Sequence, residues 1–174
     1  MHEPRWLLHA GKPEHLCMPA LADTTVLNNF AQIRRPHLLK SAYPDLSAPR
    51  PVWNELERGV RRGAVPACDW SWLDILDLTD RESAQAEELG CGLGPGEAAC
   101  ITVAVSRGLP MLSDDLDARK LGRSLGVAVS GSLGALGLLV LRQILSMDEA
   151  DALLTEMIQR GFRSPYRSLR EIPR

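Results

Sequence analysis

Short apolar runs alternate with amphipathic segments along this chain, and that alternation predicts an α/β domain built on a largely parallel sheet. Two further observations agree with it. Acidic residues fall where a strand ends or a helix begins, at Asp23, Glu55, Glu97 and the pair Asp114-Asp115, and in parallel sheets ligands sit beyond the carboxyl ends of the strands. The chain has 174 residues, 45% of them hydrophobic, which is enough for one core and close to the usual size of a single domain.

Residues 1–16, rich in His, Pro and charge, read as an extension leading into a first strand over Cys17 to Ala22. After Asp23, the residues Val26, Leu27, Phe30 and Ile33 recur at helical spacing until Pro36 closes the segment. Leu38 to Tyr43 adds a short helix, and Asp45 to Pro49 reads as a loop or short strand. Pro51 then opens a run of good helix formers ending at Gly59 or Gly63. Trp72 to Leu78 is apolar between polar turns and predicts a strand, followed by a helix over residues 80–89. A glycine-rich turn, Gly90 to Gly96, leads into a helix from Glu97 to Arg107 that Gly108 terminates. Leu109 to Ser113 is a short strand with Asp114-Asp115 at its end. A helix (Leu116 to Leu125), a strand (Val127 to Ser130) and a buried helix (Ser132 to Leu145) follow. Ser146-Met147-Asp148-Glu149 fits a capping box for a last helix running to about Arg160.

Composition narrows the function. Twenty Lys plus Arg stand against 22 Asp plus Glu, a formal charge of -2, which argues against coating nucleic acid through overall charge and leaves room for a local basic groove. Cys17, Cys68, Cys91 and Cys100 form no C-x-x-C pair, so they read as buried thiols in a reducing cytosol. His9, His15 and Cys17 match no familiar zinc spacing. Trp6-Leu7-Leu8 is too short for a signal-peptide core. The uncharged stretch Ser124 to Leu141 contains four glycines and three serines, and reads as strand, turn and buried helix rather than a membrane span. A soluble, cytoplasmic protein is expected.

The acidic positions carry the chemistry. Carboxylates gathered from distant segments repel one another and raise each other's pKa, and Mg²⁺ or Mn²⁺ is the natural compensation. Phosphodiester chemistry follows as an expectation. Each acid also has a plainer reading: Asp23 as a helix cap, Glu97 as a favourable helix start and Glu55 as a surface residue. A strand-end Asp also begins phosphatases of the haloacid dehalogenase type, but their second Asp is Thr25 here. Gly92 to Glu97 follows a polar helix, not a strand, so a dinucleotide fingerprint does not apply. Gly131-Ser132-Leu133-Gly134 reads either as a phosphate-binding helix start or as close helix packing.

Taken in order, these motifs resemble the PIN-domain superfamily, and more closely a prokaryotic PIN-like branch related to VapC-type toxins. The similarity runs from about Ala20 to Ile158. Asp23-Thr24-Thr25-x-Leu27 looks like the opening motif, and Val52-x-x-Glu55-Leu56 like the second acidic one. Gly96-Glu97-Ala98-Ala99 and Leu112 to Arg119 are similar to the third and fourth, and Gly131 to Gly134 resembles the branch's glycine signature.

The resemblance implies a PIN-like, Rossmann-like three-layer fold with a central, mainly parallel sheet flanked by helices. It further implies an acidic Mg²⁺ or Mn²⁺ site and hydrolytic endoribonuclease activity on single-stranded RNA, in a toxin held by a cognate antitoxin; homodimers are common among relatives. Asp23, Glu55, Glu97 and Asp114 or Asp115 are the expected catalytic acids, with Asp23, Glu97, Asp114 and Asp115 as metal ligands and Thr25 behind them. Arg119, Lys120 and Arg123 are candidates for the RNA backbone, with a solvated helix face as the alternative. The expected organisation is an extension (1–16), a nuclease domain (17–160) and an Arg-bearing tail (161–174). The rival readings are a PIN-like interaction module without turnover and a small-molecule phosphatase.

Overall fold

The computed structural model describes residues 19–90 and 92–173. The expected extension, the His9, His15 and Cys17 positions, the first residues of the expected first strand and Cys91 lie outside them.

Five parallel strands form one sheet in the order β3-β2-β1-β4-β5. They are β1 (Ala20–Ala22), β2 (Leu46–Pro49), β3 (Asp74–Leu76), β4 (Met111–Leu112) and β5 (Val129–Ser130). The helices between them are α1 (Thr24–Gln32), α2 (Pro36–Ala42), α3 (Arg50–Arg61), α4 (Asp80–Leu89), α5 (Pro95–Arg107), α6 (Leu116–Ser124), α7 (Ser132–Leu141) and α8 (Met147–Gln159). One helical layer gathers on α5, which packs against α3, α4, α6 and strands β1, β2 and β4; the other joins α1, α2, α7 and α8. The α/β three-layer architecture expected from the sequence is the one observed.

The strands on the β1–β5 side of the sheet are buried. All three residues of β1 are buried, as are both residues of β4 and of β5, as strands covered on both faces must be. Leu21, Leu27, Phe30, Ile101, Met111, Leu136 and Leu139 fill the core on either side.

Several boundaries differ from the sequence reading for local reasons. Pro36, expected only to close α1, sits in the first turn of α2, where its missing N–H costs nothing. Of the two glycines expected to end α3, Gly59 lies inside the helix and the chain turns at Gly63, whose φ is 72°. The buried helix α7 stops at Leu141 rather than Leu145. Gln143 adopts a left-handed φ of 58°, the Arg142 guanidinium donates to the Ser41 carbonyl at 2.8 Å, and the Ser146 capping box starts the next helix.

The expected tail is docked. The Asp151 carboxylate on α8 accepts from the Ser168 hydroxyl and the Leu169 amide, both at 2.7 Å, and pairs with Arg170. Leu169 and Ile172 are buried in the core.

Candidate active site

The strand order reverses between β1 and β4, because the chain runs outward from β1 to β3 and then returns to lay β4 on the other side. The carboxyl ends at such a switch point open into the crevice where parallel sheets bind ligands. Register aligns them: Ala22 pairs with Leu112 and Leu112 with Ser130. Asp23, Ser113-Asp114 and Gly131-Ser132 therefore leave three adjacent strands side by side.

Asp23 is fully buried and caps α1, its Oδ1 accepting from the amides of Thr25 at 2.9 Å and Val26 at 3.2 Å. The Thr25 hydroxyl donates to the same oxygen at 2.5 Å and accepts the Asp114 amide at 2.8 Å, so one threonine ties the two strand ends together. Oδ2 of Asp23 is buried without a hydrogen bond. Burial pushes the Asp23 carboxyl up to about 7, and the nearby Asp114 charge adds to the rise. The Ser113 side chain, Thr25 and the Val26 amide pull the other way.

Asp114 is held from the far side. Its Oδ1 accepts the Ser132 amide at 2.9 Å, and its Oδ2 accepts the Ser132 hydroxyl at 2.5 Å and the Asn29 amide group at 2.9 Å. Burial raises this carboxyl too, against the pull of those donors. Gly131 is required here by space: a Cβ at that position would overlap Asp114 Oδ1. The glycine signature therefore serves the aspartate, since the Ser132 amide that might have bound phosphate already donates to Asp114.

Asp115 faces another task. Its Oδ1 accepts the Ala118 amide at 2.8 Å and caps α6, so the adjacent acids divide into one beside Asp23 and one at a helix start.

Glu55 and Glu97 meet at the start of α5. Glu55 Oε1 accepts the Gly96 amide at 2.8 Å, and its Oε2 accepts the Thr24 hydroxyl at 2.6 Å. Glu97 reaches back to the Gly94 amide at 2.9 Å. Thr24 adjoins Asp23 in the chain, which sets the glutamate pair next to the aspartate pair. Among the described residues, no group of three or more His, Cys, Asp or Glu closes on a single point. A hydrated Mg²⁺ asks for less, since it keeps several waters and binds through one or two carboxylates.

Of the candidate cations, Arg119 turns inward: its Nη1 donates to the carbonyls of Ser113 at 2.6 Å and Ser130 at 2.7 Å, clamping the ends of β4 and β5. Arg123 is exposed and lies with Arg119 along a cleft of about 720 Å³; Lys120 is exposed and does not line it.

A family model described as a PIN domain matches residues 19–174. The chain belongs to the PIN-domain family. No curated protein matches it. PIN domains are typically nucleases that use divalent metal ions, which sets this one, at that coarse level, among nucleic-acid-directed hydrolases. The match covers the docked tail as well as the sheet. No described helix is long and apolar enough to cross a membrane.

Sequence reasoning missed three residues of this PIN domain. Thr24, Asn29 and Ser113 are polar side chains in or beside the site, and Asn29 is buried on the same face of α1 as Thr25, four residues away. For Asn29 the available signal was its helical spacing of four from Thr25, beside the apolar Val26 and Phe30.

Proposed function

We propose that this PIN domain is a metal-dependent endoribonuclease that hydrolyses single-stranded regions of RNA. One observation carries the reading: the buried, unpartnered Oδ2 of Asp23, beside Asp114 at the switch point, with the carboxyl raised towards 7. A carboxylate in that state gains from a cation, and the donor set is all oxygen, which suits Mg²⁺ or Mn²⁺.

Asp23 and Asp114 would hold the ion, with Glu97 and Asp115 through water and Glu55 as the further acid at the mouth. Thr25, bonded to both strand ends, fixes the spacing of the aspartates, and Asn29 and Ser132 keep Asp114 oriented. When bound, the cation supplies an activated water and offsets charge at the scissile phosphate. The protein's contribution is to orient the acids and to hold Asp23 ionised only when that charge is compensated.

The toxin of a toxin–antitoxin pair, acting in the cytoplasm with a cognate antitoxin as partner and as a homodimer, is the biological setting proposed. Finding a small DNA-binding protein encoded immediately upstream would support that setting.

A second reading, an interaction module without turnover, is favoured by the engagement of Glu55 with Thr24 and Gly96. A labelled single-stranded RNA incubated with Mn²⁺ decides between them. Cleavage that disappears with EDTA and in Asp23→Asn supports the nuclease; equal cleavage in all three reactions refutes it, and absence of cleavage in any favours the module. A phosphatase would instead transfer the phosphoryl group of a phosphomonoester to one of its own aspartates, releasing the alcohol and leaving a trappable phospho-Asp on the protein.

A further inference from the structure

The cleft of about 720 Å³ beside Asp114 is walled on one side by α6 and on the other by the docked C-terminal segment. Its volume falls within the range of pockets that enclose small organic ligands. Its lining includes Asp114 and Asp115 of the neighbouring site and adds cations and aromatic rings to them. Arg119 and Arg123 project from α6, while Phe162, Arg163 and Tyr166 come from the C-terminal strap.

Three arginines and three aspartates share this cleft. Arg123 and Arg163 are exposed and make no hydrogen bond or ion pair with any described residue. Arg119 has its pKa lowered, first by burial and then by the neighbouring Arg123 charge. None of the carboxylates on the same lining forms an ion pair with Arg123 or Arg163: Asp114 is held by Ser132 and Asn29 and faces the Arg119 charge, Asp115 caps α6, and Asp117 is solvent-exposed.

Two aromatic rings flank these cations. Phe162 and Tyr166 are half-buried and rest on the core, so their rings are anchored and lose little freedom on contact with a ligand. The segment carrying them is a built wall, closed by Ser164, whose hydroxyl donates to the Tyr166 carbonyl at 2.6 Å and accepts its amide at 3.2 Å. Beyond it, Asp151 and Asp148 fasten Arg170.

Guanidinium groups without partners beside anchored rings match one chemistry, a base stacked on an aromatic face with its phosphate on arginine. We infer that the cleft between α6 and the C-terminal strap is a nucleotide subsite. It takes one nucleotide of single-stranded RNA next to the Asp23–Asp114 centre, on the Phe162 and Tyr166 rings and the Arg123 and Arg163 guanidinium groups. The inference rests on the endonuclease reading for its substrate, yet it concerns binding and not turnover.

Its test is a fluorescence-anisotropy titration of the full chain with a short labelled single-stranded RNA in EDTA, where no cleavage interferes. The double variant Arg123→Ala/Arg163→Ala should bind at least ~10-fold more weakly, with a salt slope shallower by roughly 0.7, the contribution of the one single-strand phosphate that the pair neutralises. Tyr166→Ala should weaken binding by roughly 5- to 100-fold, the span of one lost stacked base, and Tyr166→Phe should restore it. The double variant Lys40→Ala/Arg81→Ala, which removes two exposed cations outside the cleft, should bind as wild type does. Wild-type affinity in the Arg123/Arg163 variant overturns the inference, and so does an equal loss in the Lys40/Arg81 variant. Displacement of the RNA by polyglutamate of equal charge, with Tyr166→Ala unaffected, assigns the cleft to an acidic peptide and overturns it as well. If the chain binds RNA as expected but cleaves none with Mn²⁺, the subsite stands and the nuclease reading fails.

Discussion

Glu55 on α3 accepts the amide of Gly96 on α5 at 2.8 Å, and so supplies a cap from 41 residues away to a helix whose own N-cap, Gly94, has no side chain. A Cβ at Gly96 would displace the Glu55 carboxylate from this position. Substitution at Glu55 therefore separates two effects. Glu55→Gln keeps an acceptor for Gly96 and should unfold at nearly the wild-type urea midpoint while losing most cleavage. Glu55→Ala should lose cleavage and also about 0.5–2 kcal/mol of stability, the range for a lost cap. Full activity in a stable Glu55→Gln would restrict Glu55 to its capping role.

Asp23 links stability to pH. Its carboxyl lies at about 7 in the folded chain against an ordinary 3.8, so the folded state binds the extra proton between those values. Stability in EDTA should fall as pH rises through this window, by about 4 kcal/mol at full ionisation at ~1.4 kcal/mol per pH unit. Asp23→Asn should flatten the slope, and Mn²⁺ at pH 8 should restore wild-type stability. Thermal denaturation across pH 5 to 8 measures it; an identical slope in Asp23→Asn contradicts the assignment.

Asp114 and Asp115 should part company under mutation. Asp114→Asn removes a charge beside Asp23 and should reduce cleavage by about 10²-fold or more, the scale of losing one group aimed at transition-state charge. Asp115→Ala should instead cost roughly 1 kcal/mol by uncapping α6, with a smaller effect on cleavage. Parallel cleavage rates and urea midpoints for the two variants show the division; the reverse pattern would exchange their roles.

Away from the site, Glu82 on α4 is buried and grips Arg107 on α5 through two bonds of 2.8 Å, assisted by Ser106 and the Thr79 amide. Arg107 above all holds the Glu82 carboxyl well below the ordinary carboxylate range. Its contribution is thus complete above the unfolded value near 4.5 and lost as pH falls below it. Arg107→Ala should cost about 1.5–3 kcal/mol at pH 7, because it removes charge-assisted hydrogen bonds from a carboxylate that Ser106 and the Thr79 amide still hold. Urea unfolding at pH 7 and pH 3 should show that cost shrinking with acid.

The sheet and its acidic edge were legible because they rest on local signals. Asp23 ends an apolar run and starts a helical period, and Gly96-Glu97 marks a helix start; both statements need only neighbouring residues. The partnerships across the fold were not legible. Nothing near Glu55 in the chain says that its carboxylate will cap α5, or that Gly131 leaves room for Asp114, since these depend on how β1, β4 and β5 align. Arg119 shows the same limit: a basic residue on a polar helix reads as a groove cation, and only the closeness of the β4 and β5 carbonyls turns it inward. The cap and ligand readings of Asp23 proved compatible, because Oδ1 makes the cap and Oδ2 has no hydrogen-bond partner.

The central claim is that Asp23, with Asp114 beside it, holds a divalent cation. Calorimetric titration of Mn²⁺ into the metal-free chain at pH 8, for wild type and Asp23→Asn, tests it most directly. The account predicts saturable binding to the wild type that is lost in Asp23→Asn, with the variant still folded by circular dichroism. Equal Mn²⁺ binding by both proteins, or none by the wild type, would contradict it.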